Sequence, residues 1–218
     1  MLRTLPLCLS LLAPCAAPAC ETALLLAMDV SNSVDVAEYR IQAEGLAIAL
    51  EDPLIAEILV QDRVAIAVMQ WAGEERQQLS IGWTRMTDPA AVAGLSARAR
   101  TMERAFVLSD TAPGPALHAA IDTFADAPDC RRKVIDVSGD GTPNSGGSPA
   151  AARQRAERSG ITVNALAIEA PGHGLAVSNF FRRALITRDG FVMTARGHRA
   201  YAETLRRKIL REISRVTG

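Results

Sequence analysis

Residues 24–35 read LLLAMDVSNSVD, an apolar run that ends in Asp29 and is followed by Ser31 and Ser33. An apolar run that is continuous rather than alternating is typical of a strand buried on both faces of a parallel sheet. Asp35 then stands before an amphipathic stretch, in the position of a helix N-cap. The segment therefore predicts a buried strand, a polar loop and a helix, with one carboxylate and two hydroxyl groups on the loop.

The same alternation of short apolar runs and longer amphipathic stretches continues along the chain and predicts βαβ units. Strands are predicted at 22–28, 63–70, 78–83, 133–137, 161–168 and 191–193. Helices are predicted at 36–51, 89–102, 115–125, 149–159, 176–184 and 199–216. The fold class that follows is α/β: a doubly wound, mainly parallel six-stranded sheet with helices on both faces, of Rossmann-like type.

Length and charge limit the classes of function. A chain of 218 residues with no internal repeat and no Pro- or Ser-rich linker favours one domain. The 24 basic and 24 acidic residues cancel, so no overall field attracts nucleic acid or an anionic membrane. We therefore expect no nucleic acid partner. No apolar segment has the roughly 20 residues of a transmembrane helix, so we expect no stable membrane span either.

The first twenty residues have the layout of a secretory signal, with Arg3, an apolar segment and then small residues. Ala17 and Ala19 fit the small-x-small cleavage rule, which predicts a signal peptide at 1–19, a single mature domain at 20–218 and a periplasmic or secreted protein. The apolar segment is shorter than the roughly 20 residues of a transmembrane helix. The alternative is lipid modification of Cys20, although Ala17 stands where a lipoprotein signal normally has an aliphatic residue.

Two cysteines remain once Cys8 and Cys15 are assigned to the signal peptide. Cys20 and Cys130 each stand just ahead of an apolar strand. If those strands are parallel neighbours, the two sulfur atoms meet at one end of the sheet, and an oxidising compartment favours a disulfide between them. Two unpaired buried thiols are the alternative.

A second polar loop, GDGTPNSGG at 139–147, follows another buried strand and begins with Gly139-Asp140. Ligand sites in open α/β sheets lie outside the carboxyl ends of the strands, so this loop and the one after Asp29 are expected to share a site. Carboxylate and hydroxyl oxygens suit Mg²⁺, Mn²⁺ or Ca²⁺. The simpler alternative is a strand end followed by a helix cap, with Ser33 or Asp35 as the capping residue.

The pattern Asp29-x-Ser31-x-Ser33, with a distant Thr111 and a distant Asp140, resembles the metal-ion-dependent adhesion site of von Willebrand factor type A domains. The resemblance implies that Ser31 and Ser33 bind a cation directly and that Asp29 and Asp140 bind it directly or through water. Thr111 would join when a ligand is engaged, and one position would stay open for an acidic side chain of a partner protein. Asp110 stands where that family usually has glycine.

More narrowly, the phrases LAMDVSNSVD and CRRKVIDVSGDGTPNSGG resemble the bacterial exported family DUF1194. That resemblance implies no assigned biochemical activity. The wider resemblance implies an exported protein-binding module of adhesion type with no catalytic residues and with Mg²⁺, Mn²⁺ or Ca²⁺ as cofactor.

Two other functions stay open. A magnesium-dependent phosphatase of haloacid dehalogenase type would use Asp29 as nucleophile, but it needs an aspartate where Ser31 stands and a lysine just before the metal loop, whereas Lys133 falls within a predicted strand. A structural relic that binds no metal is the third possibility.

Simpler roles are expected for the remaining polar residues. His118, His173 and His198 lie far apart in sequence and share no metal-binding spacing, which predicts surface or packed histidines. Asp136 lies within a predicted buried strand. A buried carboxylate requires hydrogen-bond or charge partners, and the sequence does not identify them.

Overall fold

The computed structural model describes residues 20–170, 172 and 174–214; the predicted signal peptide, His173 and the end of the last predicted helix lie outside these residues. The six strands are β1 (Cys20–Asp29), β2 (Ala65–Trp71), β3 (Gln77–Arg85), β4 (Cys130–Gly139), β5 (Ile161–Glu169) and β6 (Val192–Arg196). The helices are α1 (Val36–Glu51), α2 (Pro53–Gln61), α3 (Pro89–Arg100), α4 (Pro113–Asp122), α5 (Ala150–Arg158), α6 (Ala176–Phe180) and α7 (Tyr201–Ile213). No helix within the described ranges has the length and apolar character needed for a membrane crossing.

The strands form one sheet in the order β3-β2-β1-β4-β5-β6. Every neighbouring pair is parallel except β2 and β3, which form an antiparallel pair at one edge. The chain builds outward from β1 to β2 and β3 on one side and then from β4 to β6 on the other. The predicted doubly wound, mainly parallel α/β fold is confirmed, and its topological switch point lies between β1 and β4.

Strand β1 is the centre of the sheet because both of its faces are apolar. Leu24, Leu26 and Met28 pack into a core with α1, α2, α3 and α7, whereas the alternate residues Leu25 and Ala27 pack into a second core with α4, α5 and the segment after α6. Burying a leucine side chain fully is worth about 1.5–3 kcal/mol. A strand with this pattern is stable only where helices cover both faces.

Local signals explain where the helices begin. Asp35 caps α1 and accepts from the Glu38 N–H, while the Glu38 carboxylate accepts from the Asp35 N–H. Asp88 caps α3 directly before Pro89, as its sequence indicates. Helix α2 was not predicted: the first predicted helix ends at Glu51, as α1 does, and the capping signal Asp52-Pro53 that follows it was not used.

Cys20 and Cys130 are register partners on β1 and β4 and form a disulfide, which confirms that prediction. The bond ties together the amino ends of two central strands. A sulfur atom in a disulfide cannot also carry a thioether-linked lipid, so this bond and lipid modification of Cys20 are mutually exclusive alternatives.

Replacing both cysteines by serine should lower the free energy of unfolding by up to about 4–5 kcal/mol, because the bond closes a loop with a sequence separation of 110. Denaturant titration of the oxidised protein, the reduced protein and the C20S/C130S variant measures this. The reduced protein and the variant should unfold together, and an oxidised protein that unfolds at the same denaturant concentration as they do would contradict the expectation.

The unexplained Asp136 of β4 has its partner on α7. Lys208 is fully buried, and its Nζ lies 2.6 Å from Asp136 Oδ1 and 2.5 Å from Glu212 Oε1. Glu212 Oε1 also accepts from Asn164 Nδ2 of β5 at 2.9 Å. The Lys208 ammonium group therefore contacts two buried carboxyl groups, and its contact with Asp136 links α7 to the middle of the sheet.

Candidate metal centre

The polar residues singled out in the sequence meet at the carboxyl edge of the sheet. Asp29 is the last residue of β1, and Asp140 directly follows Gly139, the last residue of β4. Thr111 lies in the loop before α4, where the Ala112 N–H donates to Ala72 O beyond the end of β2. The residues therefore lie at the switch point between β1 and β4, where open α/β sheets place their ligands.

Three hydroxyl groups join the loops into one hydrogen-bonded row. Thr111 Oγ1 donates to Ser31 Oγ at 3.0 Å, Ser31 Oγ lies 3.1 Å from Ser33 Oγ, and Ser33 Oγ donates to Asp140 Oδ1 at 2.5 Å. Each hydroxyl has one proton and two lone pairs. If every proton points along the row toward Asp140, each oxygen retains at least one lone pair that a cation can use.

Asp29 is fully buried, and only one of its two carboxylate oxygens has a hydrogen-bond partner. Its Oδ1 accepts from the Ser31 N–H at 2.8 Å, whereas its Oδ2 has no hydrogen-bond partner. A Cβ atom at Gly139 would lie 3.0 Å from that Oδ2, so a side chain there would crowd the carboxylate. Burial is the main cause that raises the pKa of Asp29 to about 7. A buried carboxylate oxygen without a partner is unfavourable, and a cation beside it would remove the penalty.

Asp140 is the other carboxylate of the group. Its side chain is 11% exposed, and burial raises its pKa, against the lowering effect of the Ser33 hydrogen bond and of His198. Ser33 is exposed, so solvent or a partner reaches the cluster from that side. Together Asp29 and Asp140 provide two carboxylates, and Ser31, Ser33 and Thr111 provide three hydroxyls, all oxygen ligands of the kind hard cations prefer.

Thr111 is held in place although Asp110 replaces the glycine that the resemblance implies. The Thr111 N–H donates to Asn144 Oδ1 at 2.8 Å, and the Asn144 N–H donates back to Thr111 O at 3.1 Å. Asn144 belongs to the GDGTPNSGG loop, so that loop supplies both a carboxylate and a backbone clamp. Asp110 itself is exposed.

Arg104 is a positioning residue that the sequence reasoning missed. Its Nη2 donates to Val30 O and to Ser31 O, each at 2.9 Å. These two bonds hold the loop between β1 and α1 against the segment between α3 and Thr111. The signal was weak, because Arg104 is one of many arginines in the chain.

His198 is a packed histidine, with a side chain that is 11% exposed, but the sequence did not indicate that it lies beside Asp140. Its Nδ1 lies 3.0 Å from Glu38 Oε1, and its Nε2 lies 3.9 Å from Asp140 Oδ2. The histidine precedes α7, and Glu38 lies in the first turn of α1, so the contact depends on the packing of α1 against α7. A cavity of about 550 Å³ opens beside these three residues.

Solved structures with similar folds were found across most of the chain. Proximal thread matrix protein 1 from the mussel byssus, in a form described as having a zinc-occupied MIDAS motif, is 17% identical with a TM-score of 0.59, over 89% of this chain and 45% of that one. A von Willebrand factor type A protein from Catenulispora acidiphila is 19% identical with a TM-score of 0.63, over 88% and 43%. The pilus adhesin SpaC from Lactobacillus rhamnosus GG is 12% identical with a TM-score of 0.62, over 88% and 30%.

The chain thus spans less than half of each of these proteins, and identities this low establish the fold alone. No curated protein matches the sequence significantly. The family model described as "Protein of unknown function (DUF1194)" matches residues 19–217. The resemblances in the sequence are confirmed: the chain belongs to the DUF1194 family and has the fold of a von Willebrand factor type A domain.

Proposed function

We propose that the protein is an exported binding module that holds a divalent cation with Asp29, Ser31, Ser33, Thr111 and Asp140 and uses it to capture an acidic group of a partner protein. The observation that carries the proposal is the buried Asp29 Oδ2, which has no hydrogen-bond partner and lies next to the row of three hydroxyls that ends at Asp140. Mg²⁺ is the proposed ion, with Mn²⁺ or Ca²⁺ as substitutes.

A bound cation would supply an open coordination position for a partner's carboxylate. The protein's own part is to hold five oxygen ligands on loops fixed by the sheet, by Arg104 and by Asn144. Ser33 is exposed while Asp29 is fully buried, so a partner's acid would approach from the Ser33 side. The adhesin among the structural neighbours supports a protein partner for this fold.

The proposal places the protein outside the cytoplasm, in the periplasm or secreted, as a single domain of residues 20–218 after removal of a signal peptide at 1–19. The disulfide between Cys20 and Cys130 supports this, because such bonds persist in oxidising compartments.

The phosphatase alternative receives no support from the geometry. Lys133 is paired with Ala23 and Ile161 near the amino ends of β1 and β5, whereas Asp29 lies at the carboxyl end of β1. The other lysine, Lys208, is committed to Asp136 and Glu212. Neither lysine therefore lies beside Asp29, where a phosphate on that nucleophile would need a positive charge.

Capture of a partner should depend on the cation. Immobilised protein is exposed to a periplasmic extract in Mg²⁺, in a chelator, and in the chelator followed by excess Mg²⁺. We expect retention of specific proteins in the first and third conditions and a loss of about tenfold or more in the second. An Asp29→Asn column should behave like the chelated one, and an Asp110→Asn column like the native one.

Two results would contradict the proposal. Retention that does not change with the chelator would exclude cation-dependent capture. Steady hydrolysis of a phosphate monoester by the purified protein, lost in Asp29→Asn, would favour the phosphatase instead.

A further inference from the structure

Asp140 presents its two oxygens to two different groups. Oδ1 accepts from Ser33 in the hydroxyl row, whereas Oδ2 lies 3.9 Å from His198 Nε2. Besides Asp140, the second group consists of Glu38 and His198, neither of which belongs to the hydroxyl row. Glu38 lies at the start of α1, and His198 lies in the turn between β6 and α7. One ligand atom from each of Glu38, Asp140 and His198 lies within 4.8 Å of the other two.

The imidazole of His198 is held in a defined orientation. Its Nδ1 lies 3.0 Å from Glu38 Oε1, and Glu38 Oε2 in turn accepts from the Asp35 N–H at 2.8 Å. With the Nδ1 proton donated to Glu38, the Nε2 atom of a neutral ring carries a free lone pair. Metal-binding histidines are typically held in this way by a carboxylate on the other nitrogen.

The Nε2 atom of His198 has no other use among the described residues. It is buried and without a hydrogen-bond partner, and the side chain is 11% exposed. His198 is one of the residues that line the cavity of about 550 Å³, together with Ser33, Glu38 and Asp140. The cavity has room for water molecules or a partner's group to complete a coordination shell.

The distance between the two ligand atoms is close to what a small cation requires. Two ligands bound tetrahedrally at about 2.0–2.2 Å lie roughly 3.4 Å apart. The 3.9 Å between His198 Nε2 and Asp140 Oδ2 exceeds this by about half an ångström, which a small rotation of the Asp140 side chain would close.

We infer that His198 Nε2 and Asp140 Oδ2 form a second cation site, with Glu38 as the positioning residue that holds the imidazole. A nitrogen ligand beside a carboxylate favours borderline transition ions such as Zn²⁺ or Co²⁺ over Mg²⁺. Asp140 would bridge this site and the oxygen-only site of the proposed function. The two sites share only Asp140, so each can be removed without the other.

The test uses Co²⁺ as a spectroscopic probe in a large excess of Mg²⁺, which occupies the oxygen-only site. We expect one Co²⁺ per chain with the visible absorption of a nitrogen-containing ligand shell. His198→Gln should weaken Co²⁺ binding at least about tenfold, as removal of a ligand must. His118→Gln, on α4 across the sheet, is the matched control and should bind Co²⁺ as the native protein does.

Glu38→Gln tests the positioning role separately. Glutamine can still accept from the Asp35 N–H and cap α1, but its amide would donate to His198 Nδ1 and force the ring proton onto Nε2. Co²⁺ affinity should fall about 10–100-fold with the far-UV circular dichroism unchanged. A variant that binds Co²⁺ with native affinity would contradict the assigned role of Glu38.

Absence of the second site can be distinguished from absence of the oxygen-only site of the proposed function. Asp29→Asn should lose Mg²⁺ binding and keep Co²⁺ binding, while His198→Gln should do the reverse. If the native protein binds no Co²⁺ in excess Mg²⁺, or if His198→Gln keeps the native affinity and spectrum, the second site does not exist and His198 is a simple ion-pair partner of Glu38.

Discussion

Asp29→Asn should lower the affinity for Mg²⁺ or Mn²⁺ by at least about 100-fold while the protein stays folded. The substitution keeps the size of the side chain, and its Oδ1 can still accept from the Ser31 N–H. What it removes is the negative charge at Oδ2, the atom that is buried without a hydrogen-bond partner. Cation affinity in oxygen-ligand sites depends strongly on the number of charged ligands, so losing one of two carboxylates should be severe.

The same substitution should not lower the free energy of unfolding of the metal-free protein. A buried carboxylate with one unsatisfied oxygen costs free energy, and a neutral amide in its place costs less. We therefore expect Asp29→Asn, without metal, to unfold at the same denaturant concentration as the native protein or a higher one. This separates a ligand from a residue that merely supports the fold.

Isothermal titration calorimetry with Mg²⁺ and with Mn²⁺ measures the affinity, and denaturant titration in a chelator measures the stability. Asp110→Asn is the matched control, because it removes an acid of the same kind that precedes Thr111 and is exposed. Native affinity in Asp29→Asn, or an equal loss in both variants, would contradict the assignment of Asp29 as a ligand.

The sequence predicted the fold and the proximity of Asp29 and Asp140 because both depend on short-range patterns. A strand such as β1, apolar on both faces, identifies the centre of a parallel sheet, and polar residues directly after such strands must lie at its carboxyl edge. Asp29 and Asp140 need no further information to be placed near each other. Thr111 is in a loop with no such rule, and the resemblance to a known family supplied it.

The neighbours of His198 were not predicted, because they depend on helix packing. Glu38 and Asp140 are remote from His198 in sequence. They lie close to it only because α7, which follows the turn at 198–200, packs against α1. No spacing rule for metal ligands covers residues brought together from three elements in this way. Glu38 also caps α1 together with Asp35, and neither of its two contacts was predicted from the sequence.

The partner of Asp136 was missed for a related reason, although the composition held a clue. The chain has only two lysines, Lys133 and Lys208, among many arginines. Lys208 is the one that is fully buried. An ammonium group, unlike the planar guanidinium of arginine, is compact enough to lie between two carboxylates. The rarity of lysine was a clue that Lys208 has a special role, but only the packing of α7 against β4 identifies its partner Asp136.

Lys208→Met should lower the free energy of unfolding at pH 8 by about 3–5 kcal/mol, the range expected when one partner of a buried ion pair is removed. Methionine fills much of the space of the lysine stem but leaves Asp136 and Glu212 facing each other without a cation. Since whole domains are stable by only about 5–15 kcal/mol, the loss should be the largest of any single substitution considered for this protein.

The effect should depend on pH, and its direction follows from the buried carboxyl groups. Burial is the main cause that raises the pKa of Glu212 to about 7 and also raises that of Asp136. An acid whose pKa is higher in the folded state favours folding at low pH, and that contribution is lost as the pH rises through the folded value. Without the ammonium group both pKa values should rise further, so Lys208→Met should be less destabilised at pH 5 than at pH 8.

Glu212→Gln provides the control that isolates the charge. Its amide oxygen can accept from Lys208 and Asn164 as the carboxylate does, but it carries no negative charge. Combined with Lys208→Met, it should recover part of the stability at pH 8, because only Asp136 is then left unpaired. Denaturant titration of both single variants and the double variant at pH 5 and pH 8 gives the coupling free energy. If Lys208→Met costs less than about 1 kcal/mol, or the same amount at both pH values, the buried lysine is not what neutralises the pair.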